Sequence, residues 1–119
     1  MTDTMDKRRH HRFLALLEVR VLPGEGLPAD LKVVTVDVAV GGARCASNRP
    51  LEAGVRLQIT LTLVGGGLGQ GAAIDAEASV LRCSTNAAAP ETRRYELALA
   101  FTRMDSDDRS RLQAYLNRL

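Results

Sequence analysis

The chain has 119 residues, 45% of them hydrophobic and 25% charged, with a net charge of +2 and two cysteines. That length makes one small domain able to bury roughly 65% of the surface its unfolded form exposes, so a core forms without disulfides or a structural metal. No apolar run approaches the ~18 residues of a membrane span and the N-terminus is charged, so a membrane protein, a secreted disulfide scaffold and a disordered chain are all excluded.

Residues 1–6 carry little to bury and are expected to form a flexible head before a domain over residues 7–119. Residues 7–12 read Lys7-Arg8-Arg9-His10-His11-Arg12, four cations with no acid, which leaves the remainder at −2. The positive charge is therefore a short arm, not a basic face. Fourteen of the sixteen cations are Arg, whose planar fork grips a phosphate or a guanine edge with two hydrogen bonds.

From Leu14 the pattern turns to strands. Leu17, Val19 and Val21 alternate with Glu18 and Arg20 until Pro23-Gly24. Lys32 to Val38 alternates again, with Val34, Val36 and Val38 against Val33, Thr35 and Asp37. Period two with β-branched residues marks a half-buried strand. Gly41-Gly42 interrupts it, and a short run from Ala43 to Ala46 follows. These glycines are expected to allow a turn with positive φ and a close approach of ligand to backbone.

Val55 to Val64 is the clearest strand. Val55, Leu57, Ile59, Leu61 and Leu63 face one way, while Arg56, Gln58, Thr60 and Thr62 face the other. Five of the ten glycines then fall within residues 65–71, which reads as a mobile hairpin loop. Gly67 to Ala72 fits GxGxxA, but no parallel crossover follows to make it a dinucleotide loop. Residues 72–83 balance the helix propensity of Ala72 to Ala78 against the strand-like Val80-Leu81-Arg82-Cys83, and the strand is the expectation. Arg94 to Phe101 places Tyr95, Leu97, Leu99 and Phe101 on one face.

The period then changes. Asp105 stands where a helix N-cap is preferred, with Asp107 and Asp108 in the first turn, and Leu112, Tyr115, Leu116 and Leu119 form one apolar stripe. Six strands and one terminal helix predict an all-β domain, a six-stranded antiparallel β-barrel covered by the C-terminal helix. With Trp absent and aromatics at 3%, its core is built from Val, Leu, Ile and Ala. Cys45 and Cys83 have no CxxC partner and are expected to be buried packing thiols.

Two constellations could carry chemistry. Arg8-x-x-x-Arg12 on a pliable arm can clamp an anion or a planar base. Asp37-Val38-Ala39-Val40-Gly41-Gly42, at a strand end, offers a carboxylate to a guanine edge or to an arm arginine. No metal site is expected, since the adjacent His10 and His11 point apart in an extended arm. With both histidines there and no catalytic triad in frame, the chain is expected not to be an enzyme.

An RxxxR before the first strand, a D-x-[S]-x-x-G two dozen residues on, then strands and a closing helix: in this order the chain resembles the PilZ domain family. Leu51-x-x-Gly54, Val80-Leu81-Arg82 and Arg94 to Phe101 extend the similarity. The resemblance implies a six-stranded barrel with a C-terminal helix and binding of cyclic di-GMP, a bacterial second messenger. By position, Arg8 and Arg12 would form the clamp, Arg9 an extra phosphate contact, and Asp37, Ala39, Gly41 and Gly42 the rest of the site. No other cofactor is implied. The role implied is a cytoplasmic receptor or adaptor that passes the signal to a downstream protein. Ala39 departs from the pattern, because the family has Ser there. Losing one hydroxyl hydrogen bond, typically ~0.5–1.5 kcal/mol, predicts binding weakened about ten-fold. It also leaves open an interaction module that docks on motility or pilus machinery without nucleotide. A nucleic-acid-binding barrel is disfavoured by the scarce aromatics and the −2 outside the arm.

Overall fold

The computed structural model describes residues 13–64 and 72–119. Among these residues are seven strands and one α-helix, with a 3-10 turn at Glu91–Arg93: β1 Phe13–Leu14, β2 Glu18–Val21, β3 Val33–Ala39, β4 Gly42–Ser47, β5 Arg56–Leu63, β6 Ala72–Thr85, β7 Tyr95–Arg103 and α1 Ser106–Asn117. All pairings are antiparallel. Going round, β3 pairs β2, then β5, β6, β7 and β4, and β4 returns to β3. Six staves thus close on themselves, and β1 pairs with β3 alone. β1 and β2 lie in succession along the same edge of β3, so the first predicted strand is one stave with a break in it.

Thr35 makes that break. Its hydroxyl accepts a hydrogen bond from the Leu17 N–H at 2.8 Å and donates one to the Ala15 carbonyl. The side chain is fully buried. A hydroxyl here satisfies two backbone groups that an uninterrupted ladder would have paired, while Leu16 stands out into solvent.

β5 follows its predicted alternation, with Leu57, Ile59, Leu61 and Leu63 buried and Arg56 and Gln58 exposed. Its antiparallel partner β6 begins with Ala72 opposite Leu63. The connection is therefore a hairpin, although residues 65–71 themselves lie outside the described residues, as does the head over residues 1–6. The segment from residue 72 is strand, as expected despite its alanines: pairing on both sides, to β5 and β7, outweighs a weak helix propensity. Leu97, Leu99 and Phe101 of β7 complete the core.

α1 buries Leu112, Tyr115 and Leu116, and the Tyr115 hydroxyl donates to the Val64 carbonyl at 2.8 Å. Leu119 does not join the stripe. The helix ends at Asn117, and Leu119 beyond it is exposed. Asp105 is the N-cap residue but makes no side-chain cap bond. The Asp108 carboxylate instead accepts the Asp75 N–H at 3.2 Å, tying the first turn to β6. Both cysteines are free thiols. Cys45 is buried, but Cys83 is only half-buried, on the stretch of β6 that runs past the core. Among the described residues, no helix is long and apolar enough to cross a membrane.

Candidate functional site

β3 carries an irregularity that decides where Asp37 points. Thr35 pairs with Cys45, but the next pairing is Asp37 with Arg44, so Val36 is an extra residue in the ladder. Strict alternation would put Val33, Thr35 and Asp37 on one face. The bulge reverses the parity after Thr35: Val33, Thr35 and Val38 share the inner face with Cys45 and Ala43, and Asp37 turns outward opposite Arg44. A carboxylate that the uninterrupted pattern would send into an apolar core is delivered to the barrel's outer wall.

On that wall Asp37 is covered rather than open, with a side chain 9% exposed. The Arg44 guanidinium forms an ion pair with Asp37, Nη2 to Oδ2 at 3.1 Å, and its Nη1 lies 3.9 Å from Glu96 Oε2 on β7. Arg44 Nε is buried and has no hydrogen-bond acceptor. The order β3, β4, β7 thus lays an acid, a base and an acid across three strands.

Ala39 sits two residues beyond Asp37 and shares its face. It pairs with Gly42, which pairs in turn with Ala100, while Arg44 pairs with Ala98. The outer wall beside the ion pair is therefore paved with Ala39, Gly42, Ala98 and Ala100. No side chain there is longer than a methyl group. The Asp37 carboxylate and the Arg44 guanidinium border this small-residue stretch, in which Ala39 is itself buried.

The predicted role of the glycines needs correction. Among the described residues the glycines with positive φ are Gly26 and Gly54, so neither Gly41 nor Gly42 serves the turn in that way. Gly42 is required for closeness: a Cβ there would overlap the Leu99 carbonyl oxygen of the neighbouring strand. The Gly41 carbonyl accepts the Phe101 N–H at 2.9 Å, which ties the β3–β4 turn to β7.

Phe13 of β1 pairs with Val38, and Leu14 pairs with Asp37. The chain therefore enters the barrel alongside the Asp37 to Gly42 segment. Arg8, Arg9 and Arg12 lie outside the described residues, and Arg12 is covalently next to Phe13.

The PilZ domain family matches residues 6–118. The chain belongs to the PilZ domain family. Its PilZ barrel is similar to the inhibitor of motility of Bacillus subtilis (MotI/DgrA), with a TM-score of 0.72 and 21% identity over 93% of this chain and 50% of that one. It is also similar to the PilZ domain of YcgR from Escherichia coli, solved with c-di-GMP, with a TM-score of 0.71 and 17% identity over 95% of this chain and 91% of that one. At these identities the likeness is one of fold, and the chain spans half the length of the Bacillus protein. No curated protein matches the chain significantly.

Within this PilZ domain, Arg44 and Glu96 are the residues that sequence reasoning passed over. A signal for Arg44 was present: with Val40 and Gly41 as the turn, Ala39 faces Gly42 and, two residues further out, Asp37 faces Arg44. Glu96 had none, because the pairing of β4 with β7 joins residues about fifty apart.

The buried Cys45 thiol lies inside the wall behind this site. Burial pushes its pKa up to about 12, and the nearby Asp37 charge adds to the rise.

Proposed function

We propose that this PilZ domain binds cyclic di-GMP on the outer wall formed by β3, β4 and β7, and relays the signal to a partner protein. The observation that carries the reading is the register of Phe13 on Val38. The four-cation segment over residues 7–12 is joined in sequence to Phe13, the residue that lies beside Val38. The ligand has two guanines and two phosphate charges. A guanine offers N–H donors that a carboxylate such as Asp37 accepts, and a flat ring fits the floor of Ala39, Gly42, Ala98 and Ala100. Arg8 and Arg12 are assigned the clamp and Arg9 a phosphate contact, since Arg forks meet such anions with paired hydrogen bonds. The similar domain of YcgR was solved with c-di-GMP, and the similar Bacillus protein is named an inhibitor of motility. The first supports a nucleotide receptor and the second an output on motility.

Isothermal titration tests this. Binding is expected, with loss of affinity in Arg8→Ala and Arg12→Ala, and a gain of about ten-fold in Ala39→Ser from the restored hydroxyl. No heat and no chemical-shift change with tens of micromolar ligand would remove the reading. One observation favours a second reading: Ala39 places a methyl group where the family has a hydroxyl. On that reading the same wall docks a protein without nucleotide, and capture of the partner is indifferent to added cyclic di-GMP.

A further inference from the structure

Arg44 is held at one end only. Its Nη2 engages Asp37 at 3.1 Å, its Nη1 stands 3.9 Å from Glu96, outside hydrogen-bond range, and its Nε is buried without an acceptor. A guanidinium has five N–H donors and is best satisfied by carboxylates that take them in pairs. Here it has one close carboxylate and a second in reserve, and closing the second contact needs a movement of about 1 Å. Arg44 and Glu96 are 40% and 47% exposed in their side chains, so both have room to move.

We propose that Glu96 is a positioning residue that receives Arg44 when ligand takes Asp37, an assignment that rests on the nucleotide reading of this wall. A guanine edge competes with Arg44 for Asp37 Oδ2. Arg44 then moves toward β7 and closes on Glu96, which keeps its charge compensated. Because Arg44 pairs with Ala98 and Glu96 pairs with Ala46, that movement draws the guanidinium away from Gly42 and Ala100 and leaves the small-residue floor to the guanine ring. Glu96 thus makes its strong contact in the bound state and only a long one in the free state, so it contributes to affinity.

The sign of one substitution separates this from a plain field effect. Glu96→Gln removes a negative charge near an anionic ligand, and simple electrostatics makes binding tighter. The handover makes it weaker, by about three-fold for a half-exposed ion pair. Cyclic di-GMP titrations on the full chain should therefore give a lower affinity for Glu96→Gln than for the unaltered protein, with the same melting temperature in the absence of ligand. In an Arg44→Gln background, Glu96→Gln should no longer weaken binding. Equal or tighter binding by Glu96→Gln overturns the assignment, as does a loss that persists without Arg44. If the unaltered chain binds no cyclic di-GMP, the proposed function itself fails and takes this assignment with it.

Discussion

β5 and β3 are strands of similar length in one barrel, and they obey different rules. In β5 every second residue from Leu57 to Leu63 is buried and no register shift occurs against β6. In β3 the alternation breaks at Val36, a threonine replaces an apolar residue in the core, and an acid two residues later is nine-tenths covered on the outer wall. β5 is built for packing. β3 departs from the simple pattern where the candidate site lies, and the departure aims Asp37 at Arg44. Register shifts also occur where β6 pairs with β7, after Glu77 and after Val80; what sets the β3 bulge apart is that it turns an acid outward against a base.

Three perturbations sharpen this contrast. The largest effect on folding belongs to the packing strand. Leu61 is fully buried, so Leu61→Ala is expected to cost about 2–5 kcal/mol in urea unfolding. At temperatures where the variant remains folded, its ligand affinity should be unchanged. A smaller folding effect with a larger functional one belongs to β3. Thr35→Val keeps the shape but strands the buried Leu17 N–H and Ala15 carbonyl, for about 1–3 kcal/mol. It also loosens the bulge that turns Asp37 outward, so titration should show weaker binding even when the variant is fully folded. If Thr35→Val lost stability but bound ligand normally, the bulge would be a packing feature and the contrast would dissolve.

The smallest effect at neutral pH concerns Cys45, behind the wall. Its folded pKa is raised to about 12 from an ordinary value of 9.0. Between those values the unfolded chain gives up the thiol proton and the folded chain keeps it. The thiol's contribution to stability is therefore whole below pH 9 and falls away as pH rises toward 12. A Cys45→Ala variant should show a flatter loss of stability over that window. In the native protein at pH 8, a thiol reagent should modify the half-buried Cys83 and spare Cys45.

How far the sequence could be read follows from the same contrast. β5, β7 and the burial of Leu112, Tyr115 and Leu116 were legible because each carries a single clean period. β3 was legible as a strand but not as a surface, since valines at 33, 34, 36 and 38 make both faces apolar and conceal the bulge. Asp37 was recognised by its motif. Its pairing with Arg44 can be counted back from the Val40-Gly41 turn, but its outward aim depends on the Val36 bulge, which no local pattern announces. Gly42 drew attention for turn freedom, while its constraint comes from the Leu99 carbonyl of a strand more than fifty residues away. Leu119 completed a periodic stripe in sequence, yet the helix stopped two residues short of it.

The most direct test is a map of amide chemical shifts during titration with cyclic di-GMP. The account predicts saturable shifts at Asp37 to Arg44 and at Glu96 to Ala100, with little change along Arg56 to Leu63. Shifts centred on β5, or none anywhere, would contradict it.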